Sequence, residues 1–331
     1  MSCRSEQAVA GGWQVAGSLT IAVLLAFRSV SPAVGQSPVT SGPSPATSYT
    51  PHRVYDTRGK QFLDFETLVG RLAAAELVFV GEQHDDPATH RMELAILEGI
   101  ARRRDSVVLA LEMFERDVQP LLDGYLADST SEEEFLKGSR PWKNYAGDYR
   151  PLVELARARN WPVVASNVPR SLASSVGRAG LAALDTLSSP ARSQLAEALA
   201  CPEDVYYEKF VKVMGDLASH GPSPTNGEAP KARLLRLYQA QCVKDETMGE
   251  SVARVWRPGR LVVHYNGAFH SDFRLGTAAR AKRRASNARL LVVTALPVKD
   301  LDRLKPSKED RKRADYLLYV LAPVQADSAS R

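Results

Sequence analysis

Leu77-Val78-Phe79-Val80-Gly81-Glu82-Gln83-His84-Asp85-Asp86, residues 77–86, decides how the rest of the chain is read. Four large apolar residues run without polar alternation, stop at a glycine and give way to acidic and imidazole groups. A short, wholly apolar run marks a strand covered on both faces, the condition of a parallel sheet. Glycine permits a sharp turn off the end of such a strand. The polar groups that follow therefore leave at the strand's carboxyl end, where open α/β sheets hold their ligands.

Helical patterns flank this strand. One covers 65–75; another covers 87–104, with Pro87 in its first turn and arginines at its end, as the helix dipole favours. The alternation repeats, with strands over 106–113, 161–166, 260–265 and 289–294 and a sixth over 316–321. Helices over 116–126, 151–159 and 276–285 separate them, and a polar, aromatic loop carries Trp142, Tyr145 and Tyr149. Residues 52–65 read as a β-hairpin around the turn chemistry of Asp56-Thr57-Arg58-Gly59-Lys60. A helical block over about 169–257, with helices at 169–187, 191–200, 203–219 and 231–256, breaks the pattern. The fold class is therefore α/β: a mostly parallel sheet flanked by helices on both faces, with an N-terminal β-hairpin and a helical insertion or cap.

The 331 residues are 44% hydrophobic and 24% charged, enough for one large core or two smaller ones; residues 51–325 read as one domain. The net charge of +5 is mild, and the densest basic run, 280–284, is short. It reads as a solvated helix face, and no nucleic-acid partner is expected, because no nucleic-acid module accompanies it. Residues 1–35 read as a signal peptide. Arg4 precedes an apolar stretch over 19–27, shorter than the ~20 residues a membrane span needs. Ala33-Val34-Gly35 then offers small residues for cleavage before Gln36. An uncleaved anchor is the competing reading. Residues 36–50 read as a disordered linker. The expected location is the periplasm or cell envelope, without a lipid anchor, since no cysteine stands at the cleavage point. Cys201 and Cys242 form either one disulfide or two buried thiols.

Four strands deliver polar groups to the carboxyl edge. The first gives Glu82 and His84, the second Glu112, the third Asn167, and the fourth His264, Asn266 and His270. Each taken singly is an ordinary capping or loop residue; their convergence points to a site. Glu112 closes an otherwise apolar strand, where a carboxylate must be hydrogen-bonded, paired or on a metal. Gly81-Glu82-Gln83-His84 and Gly267-Ala268-Phe269-His270 both fit Gly-x-x-His. With Glu82 and Glu112 these turns make a plausible N/O site for a divalent metal such as manganese or cobalt. His90 and Glu93 share a helix face and read as exposed, with support of the site as the alternative.

The segments LVFVGEQHDDPATHRMELAIL, VVLALEMFERDVQPLLDGYL, WKNYAGDYRPLVELARARNWPVVASNVPR, KDETMGESV and LVVHYNGAFHSDFRLGT resemble the ChaN-like haem-binding proteins, which belong with Tiki, TraB and erythromycin-esterase proteins. The resemblance runs over about 52–298 and keeps motif order. It implies an envelope protein that binds haem, two haems face to face at a homodimer interface, tyrosine ligation, and membrane-associated uptake machinery as a partner. Tyr145, Tyr149 and Tyr265 are the candidate ligands. Arg150 or Arg170 would pair with propionates, His264 and Asn266 would add polar contacts, and Trp142, Met113 and Phe114 an apolar wall. The patch Asp245, Glu246 and Met248 resembles a family motif that closes over the same edge. The wider superfamily implies an alternative, a metal-dependent hydrolase whose site is Glu82, His84, Glu112 and His270.

Overall fold

The computed structural model describes residues 49–219 and 229–323. The expected leader and nearly all of the expected linker lie outside the described residues. The domain begins at Tyr49.

Eight strands form one sheet: β1 (His52–Asp56), β2 (Gln61–Leu63), β3 (Leu77–Glu82), β4 (Val107–Glu115), β5 (Val163–Asn167), β6 (Leu261–Gly267), β7 (Leu290–Val298) and β8 (Tyr316–Leu321). Their order is β2-β1-β8-β7-β3-β6-β4-β5. From β8 to β5 every neighbouring pair is parallel. The β1–β2 hairpin attaches antiparallel to β8, with His52 opposite Val320. The fold class read from the sequence is the one observed, and β8 is the sixth parallel strand.

β3 lies in the middle and is buried along its whole length. Its side chains alternate between two cores, as a strand's period of two requires. Val78 and Val80 join Ile96, Leu109, Val153 and Val263 on one face. Leu77 and Phe79 join Val108, Val252, Ala278 and Val292 on the other. The helix Pro87–Ala101 starts where Asp86 accepts the Ala88 N–H at 2.9 Å and proline takes the first turn. That cap fixes the chain leaving β3, and with it the positions of His84, His90 and Glu93.

The helical block follows β5, and its boundaries differ from the reading. The helix Arg170–Ala179 stops at Gly180, whose φ of +76° lies in the left-handed region. The expected helix over 191–200 is only Ser189–Arg192. Beyond it, side chains of the long helix Pro230–Val255 take the backbone N–H groups: Ala196 donates to Thr247 Oγ1 (3.2 Å) and Glu197 to Glu250 Oε2 (2.9 Å). A helix Glu132–Ser139 stands where a loop is expected, started by a reciprocal cap between Ser131 and Glu134. Cys201 and Cys242 form a disulfide, tying the long helix to the segment before the helix Val205–Ser219. The basic run is a solvated face only in part: Lys282 and Arg283 are exposed, but the run also makes buried contacts. Arg280 is buried, and Arg280, Arg283 and Arg284 all grip the buried Glu246 at 3.2, 2.8 and 2.7 Å.

Candidate functional site

At the ends of the paired strands β3 and β6, Gly81 stands opposite Asn266 and Glu82 opposite Gly267, so the two glycines are one register step apart. A Cβ on Gly81 would stand 2.9 Å from Ala268 Cα, and one on Gly267 would stand 2.7 Å from His84 Nε2. The two Gly-x-x-His turns therefore interlock, each glycine making room for the other turn. This brings Glu82, His84, Glu112 and His270 to one cleft of about 820 Å³ at the carboxyl edge of the sheet. The gathering expected from the sequence occurs.

The four residues form two groups. His84 is the accessible one, its side chain 42% exposed. Its Nδ1 lies 2.5 Å from Glu82 Oε1, and its ring packs edge-on against Trp142. Burial opposes a charge on His84, but the Glu82 hydrogen bond and the nearby Glu112 and Glu82 carboxylates outweigh it and raise the imidazole above its ordinary pKa.

His270 is held between two carboxylates. Its Nδ1 lies 2.7 Å from Asp245 Oδ1 and its Nε2 3.2 Å from Glu112 Oε1. Tyr206 and Thr277 donate to Asp245 at 2.7 and 2.8 Å, and the Gly267 N–H donates to Glu112 Oε2 at 2.8 Å. Burial alone would lower His270; Glu112 and Asp245 override it and push it up to about 10. Against the same burial, His270 holds both Glu112 and Asp245 below the usual carboxylate range. The triad is an imidazolium between two carboxylates. Asp245 and Glu246 are both buried within the long helix.

The side chains expected to meet haem lie elsewhere. Tyr149 is buried and donates to Glu82 Oε1 at 2.8 Å from behind. Burial, then the Glu82 charge, raises its phenol far above the ordinary value. Tyr145 packs on Phe114 and Phe135 in the core, and burial raises it too. Tyr265 is buried and donates to the Glu93 carbonyl at 3.0 Å. His264, beside Asn266 at 3.0 Å, is buried within β6 and lowered by burial to about 4. Arg150 faces outward on Glu132 at 2.5 Å, and Met113 and Phe114 belong to the core. Of the expected ligand contacts, Trp142 and Arg170 line the cleft.

The reading missed the far wall. Phe210, Val213 and Met214 of the helix Val205–Ser219 face Phe269 and Phe273 across the cleft, with Lys209, Lys212, Lys244 and Arg313 around them. Tyr206, Lys209, Phe210 and Val213 recur at helical spacing, the signal that a pattern search could have used. His90 and Glu93 are not exposed: both are buried beneath Glu82. Helix packing put them there, because their face of the helix turns toward β3 rather than to solvent.

The sequence profile described as "Haem-binding uptake, Tiki superfamily, ChaN" matches residues 68–281, more than half the chain. The chain belongs to the ChaN family. ChaN of Campylobacter jejuni, whose structure shows cofacial haem binding, is similar with 17% identity and a TM-score of 0.58, over 81% of this chain and 96% of that one; at that identity the likeness concerns the fold. An erythromycin esterase in its open conformation (12% identity, TM-score 0.43, 82% of both chains) and a Bacillus cereus protein (11%, 0.42, 77% and 90%) are more distant. None of the curated proteins matches this chain. The family of haem-binding ChaN proteins makes haem the ligand class against which the cleft is to be judged.

Proposed function

We propose that this ChaN-family chain binds haem in the cleft between the carboxyl edge of the sheet and the helix Val205–Ser219. The observation that carries the reading is the cleft's division of labour. One part is apolar, with Phe210, Val213, Met214, Phe269 and Phe273; another is cationic, with Arg170, Lys209, Lys212 and Lys244; and one imidazole, His84, is half exposed. That suits a flat apolar macrocycle carrying two carboxylates and a metal. Bound haem would supply an iron able to accept an axial donor.

This chain's residues supply the rest. Glu82 orients His84 through Nδ1, and Nε2 lies beside Gly267 in the cleft wall. The lysines and Arg170 offer charge-assisted hydrogen bonds to propionates. Val213, 51% exposed, is the kind of wall residue that a second copy of the chain would cover. The hydrolase alternative is less well supported, because His270 is engaged by carboxylates at both nitrogens. Export and a role in haem or iron acquisition or handling rest on the leader-like residues 1–35.

Titration with haemin tests the reading. The expected result is a saturable Soret shift, weakened about tenfold by Phe210→Ala and altered in band position by His84→Ala. An unchanged haemin spectrum in the presence of the wild-type chain would refute it. A phenolate charge-transfer band that survives His84→Ala would move the axial role to a tyrosine.

A further inference from the structure

We propose that Glu82, His90 and Glu93 form a buried site for a divalent cation, lying behind the cleft and filled independently of it. Their donor atoms all lie within 4.8 Å of one another, and the three residues are 1%, 3% and 1% exposed. Glu82 comes from the end of β3, and His90 and Glu93 come from the helix that begins five residues later.

The hydrogen bonding around His90 shows what the cluster lacks. His90 Nε2 lies 3.0 Å from the His84 carbonyl. A carbonyl only accepts, so Nε2 carries the ring proton and neutral His90 presents its Nδ1 lone pair inward. That lone pair points at Glu93 Oε2, 2.8 Å away, and Glu82 Oε2, 3.3 Å away. Glu82 Oε2 and Glu93 Oε1 are buried with no hydrogen-bond partner. Buried acceptors facing one another without a donor are costly. A cation at their centre satisfies all of them. Two carboxylates balance its two charges, and a backbone carbonyl fixing the remote nitrogen is the usual support of a metal-bound histidine.

An outer ring is also present. Tyr149 donates to Glu82 Oε1 at 2.8 Å, and Asn144 donates to the His84 carbonyl at 3.0 Å and to Asp148 Oδ2 at 2.8 Å. The π-helical turn Tyr145–Tyr149 carries both Tyr149 and Asp148, whose Oδ2 lies 3.6 Å from His90 Nε2; such a distortion is frequent at functional sites. One imidazole with two carboxylates suits manganese, iron, cobalt or zinc. The rival arrangement fills the gap with protons alone, Glu93 donating to Glu82.

Cobalt(II) separates the two. The full chain, stripped with chelator, is titrated with Co(II) and followed by its visible d–d absorption, and a Co-loaded crystal is measured at the cobalt edge. The proposal expects a saturable band at one ion per chain, weakened at least about tenfold by Glu93→Gln and retained in His84→Ala and Phe210→Ala. It also expects an anomalous peak between Glu82, His90 and Glu93. No band in the wild-type chain, wild-type affinity in Glu93→Gln, or a peak only beside Glu112 and His270 would overturn it. If Glu93→Gln fails to fold by circular dichroism, the anomalous map decides alone. Haemin binding is measured separately, so failure here leaves the haem reading standing.

Discussion

His90 and His270 are both buried histidines set among carboxylates, and they are partnered in different ways. His270 spends each nitrogen on a different carboxylate; Gly267 and Tyr206 donate to the outer oxygens of Glu112 and Asp245, and Thr277 donates to the Asp245 oxygen that faces His270. Every charge is answered, so the triad closes on itself. His90 spends Nε2 on a backbone carbonyl, leaving one nitrogen for two carboxylates and two oxygens unmet. Where the two ring nitrogens point, rather than how many carboxylates stand nearby, decides whether a histidine makes a finished ion cluster or an open one.

The largest expected effect comes from breaking the closed cluster. His270→Ala leaves Glu112 and Asp245 buried without their cation, which should cost about 3–5 kcal/mol in denaturant unfolding. The milder His270→Gln gives the pH signature. His270 is raised in the folded chain to about 10 from 6.5, so its contribution is whole below pH 6.5 and fades as pH rises through 10. Glu112 and Asp245 are lowered from 4.5 and 3.8, so theirs is whole above those values and fades on acidification. The stability gap between wild type and His270→Gln should be widest near roughly pH 5–6.5 and shrink on either side. A gap that widens toward pH 10 would contradict the imidazolium assignment.

The next effect tests what holds the clusters. The Cys201–Cys242 bond spans 41 residues and pins the helix that carries Asp245. Replacing both cysteines with serine should cost about 2–4 kcal/mol. Hydrogen exchange should then rise along Pro230–Val255 while the amides around His90 stay protected. The smallest effect sets the two clusters directly against each other. In chelator-treated protein near pH 7, Glu93→Gln should raise stability by about 1 kcal/mol, because it gives the open cluster a donor. Glu112→Gln should lower stability by about 2 kcal/mol. Equal effects of the two changes on thermal unfolding would erase the distinction.

Much of this was legible. Short uninterrupted apolar runs closed by glycine, such as Leu77–Val80 before Gly81, read as strands covered on both faces, and the Gly-x-x-His pair marked the turns that build the cleft. What escaped depends on which way a helix face turns. His90 and Glu93 look the same in sequence whether packed on β3 or facing water. The apolar wall around Phe210 needed the helical block to fold back over the sheet edge. The helix Glu132–Ser139 was a local signal overlooked, since Ser131 and Glu134 have the spacing of a reciprocal cap. The basic run 280–284 misled because its partner, Glu246, lies far along the chain.

The pairing of His52 with Val320 has a mechanical consequence. β1 and β8 run antiparallel, so the first and last strands of the domain meet at a shared corner. Tension applied to both would unzip that ladder one rung at a time instead of shearing it all at once. The hairpin and the helix Phe65–Ala73 on one side, and β8 on the other, would have to give way before load reached β3 or β7, so the hairpin acts as a fuse, yielding early while the strands that carry the two histidine clusters stay seated.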